Sequence, residues 1–345
     1  MKNKLLLISL EESDNGHSTG LLNRDRVKAV CGFESHLLRR YKIMKEQPEK
    51  SFEREIDPRS IVIVTGTLYP TWGTENERDV DRVRGGLALQ TLKRAKQKGY
   101  QIVLRDDGSS RAFLEELDRK GVVPRGHNVK GMSANRQQSF EDAGKLEGAQ
   151  VICWTEPEKV SLVGNCLPEA VRSLLDGRAD IVVPKRDPEA WKTYPQYQAE
   201  SERRLIRLWN AILKEHGVLP KDTEDLDVFF GPKFFRNDPD LLKIFLESYE
   251  FKKRDLKLDE LVEPGRWANA IFFPIIKALA EGYRVMSVPV PYRNPAEQTN
   301  LEKDSNEFRR KRKVQFKDLI TNTIHFIRLL EQNPKSRLHK VGRSP

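Results

Sequence analysis

The chain has 345 residues, 32% of them charged and 38% apolar, with a formal net charge of +10. That length suits one large or two modest domains, and no apolar run approaches the ~20 residues that a bilayer span requires. Cys31, Cys153 and Cys166 show no CxxC spacing, so neither a zinc site nor a disulfide framework is indicated, and a reducing, cytoplasmic setting fits. The surplus of basic residues points to an anionic partner such as a nucleotide diphosphate, a lipid headgroup or a nucleic acid.

Residues 1–57 read as an amino-terminal extension and linker, with one helix expected over Val27–Met44. Leu5–Leu10 is too short and too weakly apolar for a signal peptide and reads as a short strand or helix. The first clear strand is Ile61-Val62-Ile63-Val64, ending in Thr65-Gly66-Thr67. A helix over Val83–Lys98, closed by Gly99, leads to a second strand at 101–105. Strand, helix and strand within about 45 residues make a βαβ unit, hence a parallel pair and a right-handed crossover. Short helices follow at Phe113–Lys120 and Ser133–Leu146, the latter with Ser133 as its N-cap. Further strands are expected at 151–155, Ala179–Pro184, Leu226–Phe230 and Tyr283–Val288. Helices are expected over Gln198–His216, Leu241–Tyr249 and Trp267–Ala280. Residues 301–345 hold a basic helix, with twelve Lys or Arg against five Asp or Glu.

Two strand ends carry acids. The strand at 101–105 runs into Asp106-Asp107-Gly108-Ser109-Ser110, and the strand at 151–155 runs into Glu156-Pro157-Glu158. In open α/β sheets, ligands bind outside the carboxyl ends of the strands. An aspartate there can accept from a ribose hydroxyl pair or a base-edge N–H, and Gly108 allows the ligand close to the backbone. An ordinary Asp-Gly turn has the same letters. In an extended chain, residues i and i+2 point the same way, so Glu156 and Glu158 would face one Mg2+ or Mn2+ ion. The competing reading is a helix N-terminus, where Pro and Glu are both favoured.

Taken together, the Asp-Asp-Gly-Ser turn, the Ala134-Asn135-Arg136 helix start and the Glu156-Pro157-Glu158 strand end resemble glycosyltransferase family 2 over roughly residues 60–290. The resemblance implies an α/β, GT-A-like domain with a nucleotide-sugar-binding half at 58–184 and an acceptor-side half at 185–300. It implies that Asp106 or Asp107 contacts the nucleoside, that Thr65 lines the nucleotide pocket, and that Glu156 and Glu158 hold a divalent cation on the diphosphate of a UDP- or GDP-linked donor. Members of the family carry a catalytic acid about twelve residues before a Gly-Tyr-Arg-Val strand. Here Gly282-Tyr283-Arg284-Val285 is present, but Ala270 stands at that spacing, with Glu263 the nearest acid upstream. Glu263, Asp225 and Asp227 are therefore the candidates for the base that an inverting transfer requires; without one, the reaction retains configuration.

Arg136, Lys185 and Arg186 are candidate phosphate contacts, and Trp191 and Tyr194 could stack on a sugar. Arg309-Arg310-Lys311-Arg312-Lys313 reads either as the solvated face of a helix or as a nuclear-localisation patch or a contact for an anionic membrane or nucleic acid. A nucleotidyltransferase would carry a Gly-rich basic loop after its first strand, of which Arg82, Arg84, Gly85 and Gly86 are a faint echo. A non-enzymatic nucleic-acid-binding protein is disfavoured because the basic residues are scattered among acids and no aromatic-basic motif appears.

Overall fold

The structure is a computed structural model that describes residues 55–126, 132–247, 271–303 and 305–332. The expected helix at Val27–Met44, Glu263 and the start of the expected helix at Trp267 lie outside the described residues. Ile56–Pro345 forms one compact unit.

Its centre is a six-stranded sheet of order β2-β1-β3-β5-β4-β6. The strands are β1 (Ile61–Thr67), β2 (Gln101–Asp106), β3 (Val151–Trp154), β4 (Ile181–Arg186), β5 (Lys233–Arg236) and β6 (Val285–Val290). β1 pairs in parallel with β2 and β3, β4 pairs in parallel with β6, and β5 runs antiparallel between β3 and β4. The α/β class and the mixed sheet expected of a GT-A-like domain are both present.

The apolar runs form central strands because both of their faces are covered. Val62 and Val64 point to one layer, with Phe140, Trp209, Phe245 and Phe273, while Ile61 and Ile63 point to the other, with Leu162, Leu167, Val171 and Leu174. The first layer comes from helices α3 (Met132–Gly144), α6 (Gln196–Glu215), α7 (Pro239–Leu246) and α8 (Phe273–Glu281). The second comes from the one-turn π-helix at Leu162–Cys166 and the helix α4 (Leu167–Leu175) that continues it. Helices α1 (Asp79–Gln97) and α2 (Arg111–Arg119) flank the β1–β2 edge, and a four-residue helix α5 (Pro188–Trp191) follows β4. A short helix α9 (Ala296–Glu302) and a 27-residue helix α10 (Asn306–Gln332) complete the unit.

Three expectations change. Leu226–Phe230 is not a strand: Val228–Phe230 is a 3₁₀ turn, and the strand starts beyond Gly231-Pro232, where Gly231 takes φ +89°. Only a residue free of Cβ strain turns the chain there, so the apolar run before the glycine cannot extend into the sheet. Helix α3 already includes Met132, so Ser133 lies inside it rather than capping it. Arg82, Arg84, Gly85 and Gly86 lie within α1, so they do not form a phosphate-binding loop.

Candidate functional site

β1 connects to β2 on one side and pairs with β3 on the other, so the carboxyl ends of these three strands border a topological switch point. A cavity of about 620 Å³ opens there, within the range of small-molecule sites. Thr65, Asp107, Arg136, Glu156, Glu158, Arg186 and Tyr194 line it; Asp106, Lys185, Trp191, Asp225 and Asp227 do not.

The two aspartates of the β2 turn divide the work. The Asp106 carboxylate accepts from Thr67 Oγ1 at 2.7 Å and from the backbone N–H groups of Gly108 and Ser109 at 2.9 and 2.8 Å. It is 5% exposed and fastens the loop between β1 and β2. Asp107 faces the cavity and accepts from Asn135 Nδ2 at the start of α3. The next residue, Arg136, lays its guanidinium 4.6 Å from the centre of the Trp154 ring. Burial pushes its pKa down to about 10 against the pull of nearby Glu156 and Asp107, so it remains a cation at neutral pH. The Thr65 hydroxyl is engaged, donating to the Thr155 carbonyl at 2.9 Å.

Glu156 and Glu158 both line the cavity, but not on extended backbone. The strand ends at Trp154, and the chain turns at Pro157, with the Lys159 N–H donating to the Glu156 carbonyl at 3.3 Å. The i, i+2 rule holds only for extended backbone. Glu158 accepts from the Tyr69 hydroxyl at 3.0 Å and stands 4.0 Å from Arg84. Burial, and then Glu158, push the Tyr69 phenol well above its usual range, so it stays a donor. Glu156 Oε2, by contrast, is a buried carboxylate oxygen that no donor of the protein reaches. Gly231 makes room for this carboxylate, because a Cβ at that position would collide with it. Mg2+ and Mn2+ commonly take one or two carboxylates plus substrate phosphates. The orphaned oxygen of Glu156 fits that donor set, although no group of three or more potential ligands occurs among the described residues.

Lys159, which the sequence reading missed, is buried against three rings, its Nζ 5.1, 5.5 and 5.9 Å from the centroids of Tyr292, Phe230 and Tyr194. It lines the same cavity.

The remaining sequence candidates have other partners. Arg186 is 2% exposed, with Nε and Nη2 donating to Asp227 at 2.8 and 2.7 Å and Nη1 paired to Glu202. Both oxygens of Asp227 are thereby occupied, which removes it as a proton acceptor. Asp225 pairs with Lys214 at 2.7 Å, and Lys185 pairs with Glu224. Trp191 stacks against Arg186 and Arg203, at 3.7 and 4.9 Å from its ring centre, so it is a platform for protein cations instead of a sugar. Tyr194 does face the cavity, with a buried hydroxyl that no protein group bonds.

Helix α10 forms another wall, through Phe308, Arg312, Phe316 and Asn322. The basic run 309–313 is therefore not a purely solvated face: Arg312 turns inward and pairs with Glu202. No helix among the described residues is long and apolar enough to cross a membrane.

No protein-family model matches this chain, and no curated protein matches it. Solved structures do. A candidate nucleotide-diphospho-sugar transferase from Desulfovibrio desulfuricans is similar at 10% identity and a TM-score of 0.40, over 78% of this chain and 97% of that one. Glucosyl-3-phosphoglycerate synthase from Mycobacterium tuberculosis, solved with Mn2+, UDP-glucose and phosphoglyceric acid, is similar at 10% identity and a TM-score of 0.43, over 78% of this chain and 80% of that one.

Proposed function

We propose that this protein is a glycosyltransferase that moves a sugar from a nucleotide-diphosphate donor, UDP- or GDP-linked, to a hydroxyl acceptor. One observation carries the reading: Asp107, the Asn135-Arg136 pair and the orphaned Glu156 carboxylate come from three separate segments and meet in one cavity at the switch point of the sheet.

In this reading Asp107, steadied by Asn135, accepts from the nucleoside. Glu156 would hold Mn2+ or Mg2+, with Glu158, tethered by Tyr69, on the same cavity wall. The metal, when bound, neutralises charge developing on the departing diphosphate. Arg136 and Lys159 add fixed positive charge in a water-poor setting, where it acts without reorganisation cost. With Asp227 and Asp225 committed to Arg186 and Lys214, Glu263 is the remaining candidate of the three for the base of an inverting transfer; without such a base the transfer retains configuration. UDP-glucose is the first donor to test, by following UDP release with and without Mn2+. Release that requires the metal and disappears in Glu156→Ala supports the assignment; metal-independent release that survives the substitution refutes it.

A further inference from the structure

Two Gln-x-x-x-Glu pairs, neither used in the proposed donor site, border the same cavity. Gln198 and Glu202 are one turn apart on α6, and Gln298 and Glu302 are one turn apart on α9. All four are buried, at 4%, 1%, 8% and 1% exposure. In each pair the glutamine Nε2 donates to the glutamate, at 3.0 Å to Glu202 and 3.1 Å to Glu302. A carboxylate accepts only, which fixes the orientation of both amides: nitrogen toward the glutamate, oxygen away from it. Neither Gln198 Oε1 nor Gln298 Oε1 meets a hydrogen-bond donor from the protein, and both residues line the cavity. The glutamates are clamped in turn, Glu202 by Arg186 and Arg312 and Glu302 by Arg84 at 2.8 Å. The Tyr197 hydroxyl donates to the Glu302 carbonyl at 3.1 Å and ties the two helices together.

We propose that these two glutamine oxygens form a subsite for an uncharged polyol, a carbohydrate whose hydroxyls donate to them. Buried carbonyl oxygens left without donors are costly, and ligand hydroxyls of matching spacing supply what is missing. Charge selects against an anionic ligand. Arg84, Arg186 and Arg312 face four carboxylates, Glu158, Glu202, Asp227 and Glu302, and have no surplus for a phosphate, whereas Arg136 and Lys159 serve the donor diphosphate in the proposed reading. Phe308 and Phe316 line the same cavity and offer apolar faces to a sugar ring. Naming the ligand an acceptor rests on the transferase reading; the subsite itself does not.

The test titrates the methyl glycosides of glucose, mannose and galactose, with glucose 6-phosphate as the charged probe, into the full chain by ligand-observed NMR. UDP with Mn2+ is titrated separately. The wild type should bind at least one uncharged glycoside more tightly than glucose 6-phosphate. Gln198→Met/Gln298→Met should weaken that binding roughly tenfold, with each single variant weakening it by several-fold. Each substitution also takes an amide donor from a buried glutamate, so the melting temperature should fall modestly. UDP affinity should stay unchanged and shows that the variants are folded. Equal glycoside binding by wild type and double variant overturns the subsite, as does preference for glucose 6-phosphate or the absence of glycoside binding. Failure of UDP to bind while glycosides still do overturns the transferase reading alone.

Discussion

At the scale of single residues, the β2 turn shows why adjacent identical side chains need not share a role. Asp106 and Asp107 are indistinguishable in the sequence; the first is spent on Thr67, Gly108 and Ser109, and only the second faces the cavity. Asp106→Ala strips buried donors of their acceptor and should cost about 1–3 kcal/mol of stability, read from urea unfolding. Asp107→Ala should instead weaken nucleotide binding with a smaller change in the urea midpoint. Gly231→Ala combines a collision with Glu156 and a left-handed backbone that a Cβ disfavours. It should lower stability by at least about 1 kcal/mol and displace the Glu156 carboxylate, seen as loss of Mn2+-dependent nucleotide binding. The Glu156-Pro157-Glu158 motif was visible in the sequence, but its geometry was not. Proline permits either an extended chain or a turn, and the Tyr69 hydroxyl that captures Glu158 lies 89 residues away.

At the scale of elements, β1, β2 and β3 were legible because each is a short β-branched or apolar run that ends in polar turn residues. β5 was not, since a four-residue strand between two non-adjacent neighbours is set by long-range pairing rather than by local pattern. The inward turn of α10 was hidden for the same reason: Arg312 sits in a run of five basic residues, and its partner Glu202 is 110 residues away. The network Arg312–Glu202–Arg186–Asp227 locks α10 and α6 to the end of β4. Removing its central acid with Glu202→Ala leaves two cations short of a partner and should cost about 3–5 kcal/mol, measured by thermal or urea unfolding. The same network sets a pH dependence. Burial would raise the Glu202 carboxyl, but Arg186 and Arg312 outweigh it and hold the pKa below the ordinary 4.5. Asp180, opposed by burial and held by Arg284, is likewise depressed. A depressed carboxylate contributes stability that is fully present above its unfolded pKa and lost as the pH falls through its folded one. Stability should therefore stay level on this account above about pH 5 and fall progressively below pH 4, with a shallower fall in Glu202→Gln.

At the scale of the molecule, the parallel β2-β1-β3 triplet gathers three strand ends at one switch point, and the antiparallel β5 brings Gly231 against Glu156. In the proposed reading, the donor side and the acceptor side thus share one sheet and one cavity. That arrangement makes nucleotide binding through Glu156 the central claim, and calorimetric titration of UDP and GDP with and without Mn2+ tests it most directly. Wild type should bind one of the two nucleotides at least tenfold more tightly with the metal, and Glu156→Ala should lose that gain while keeping the wild-type melting temperature. A folded wild type that binds neither nucleotide, or binds equally well with the metal and without it, would contradict the account.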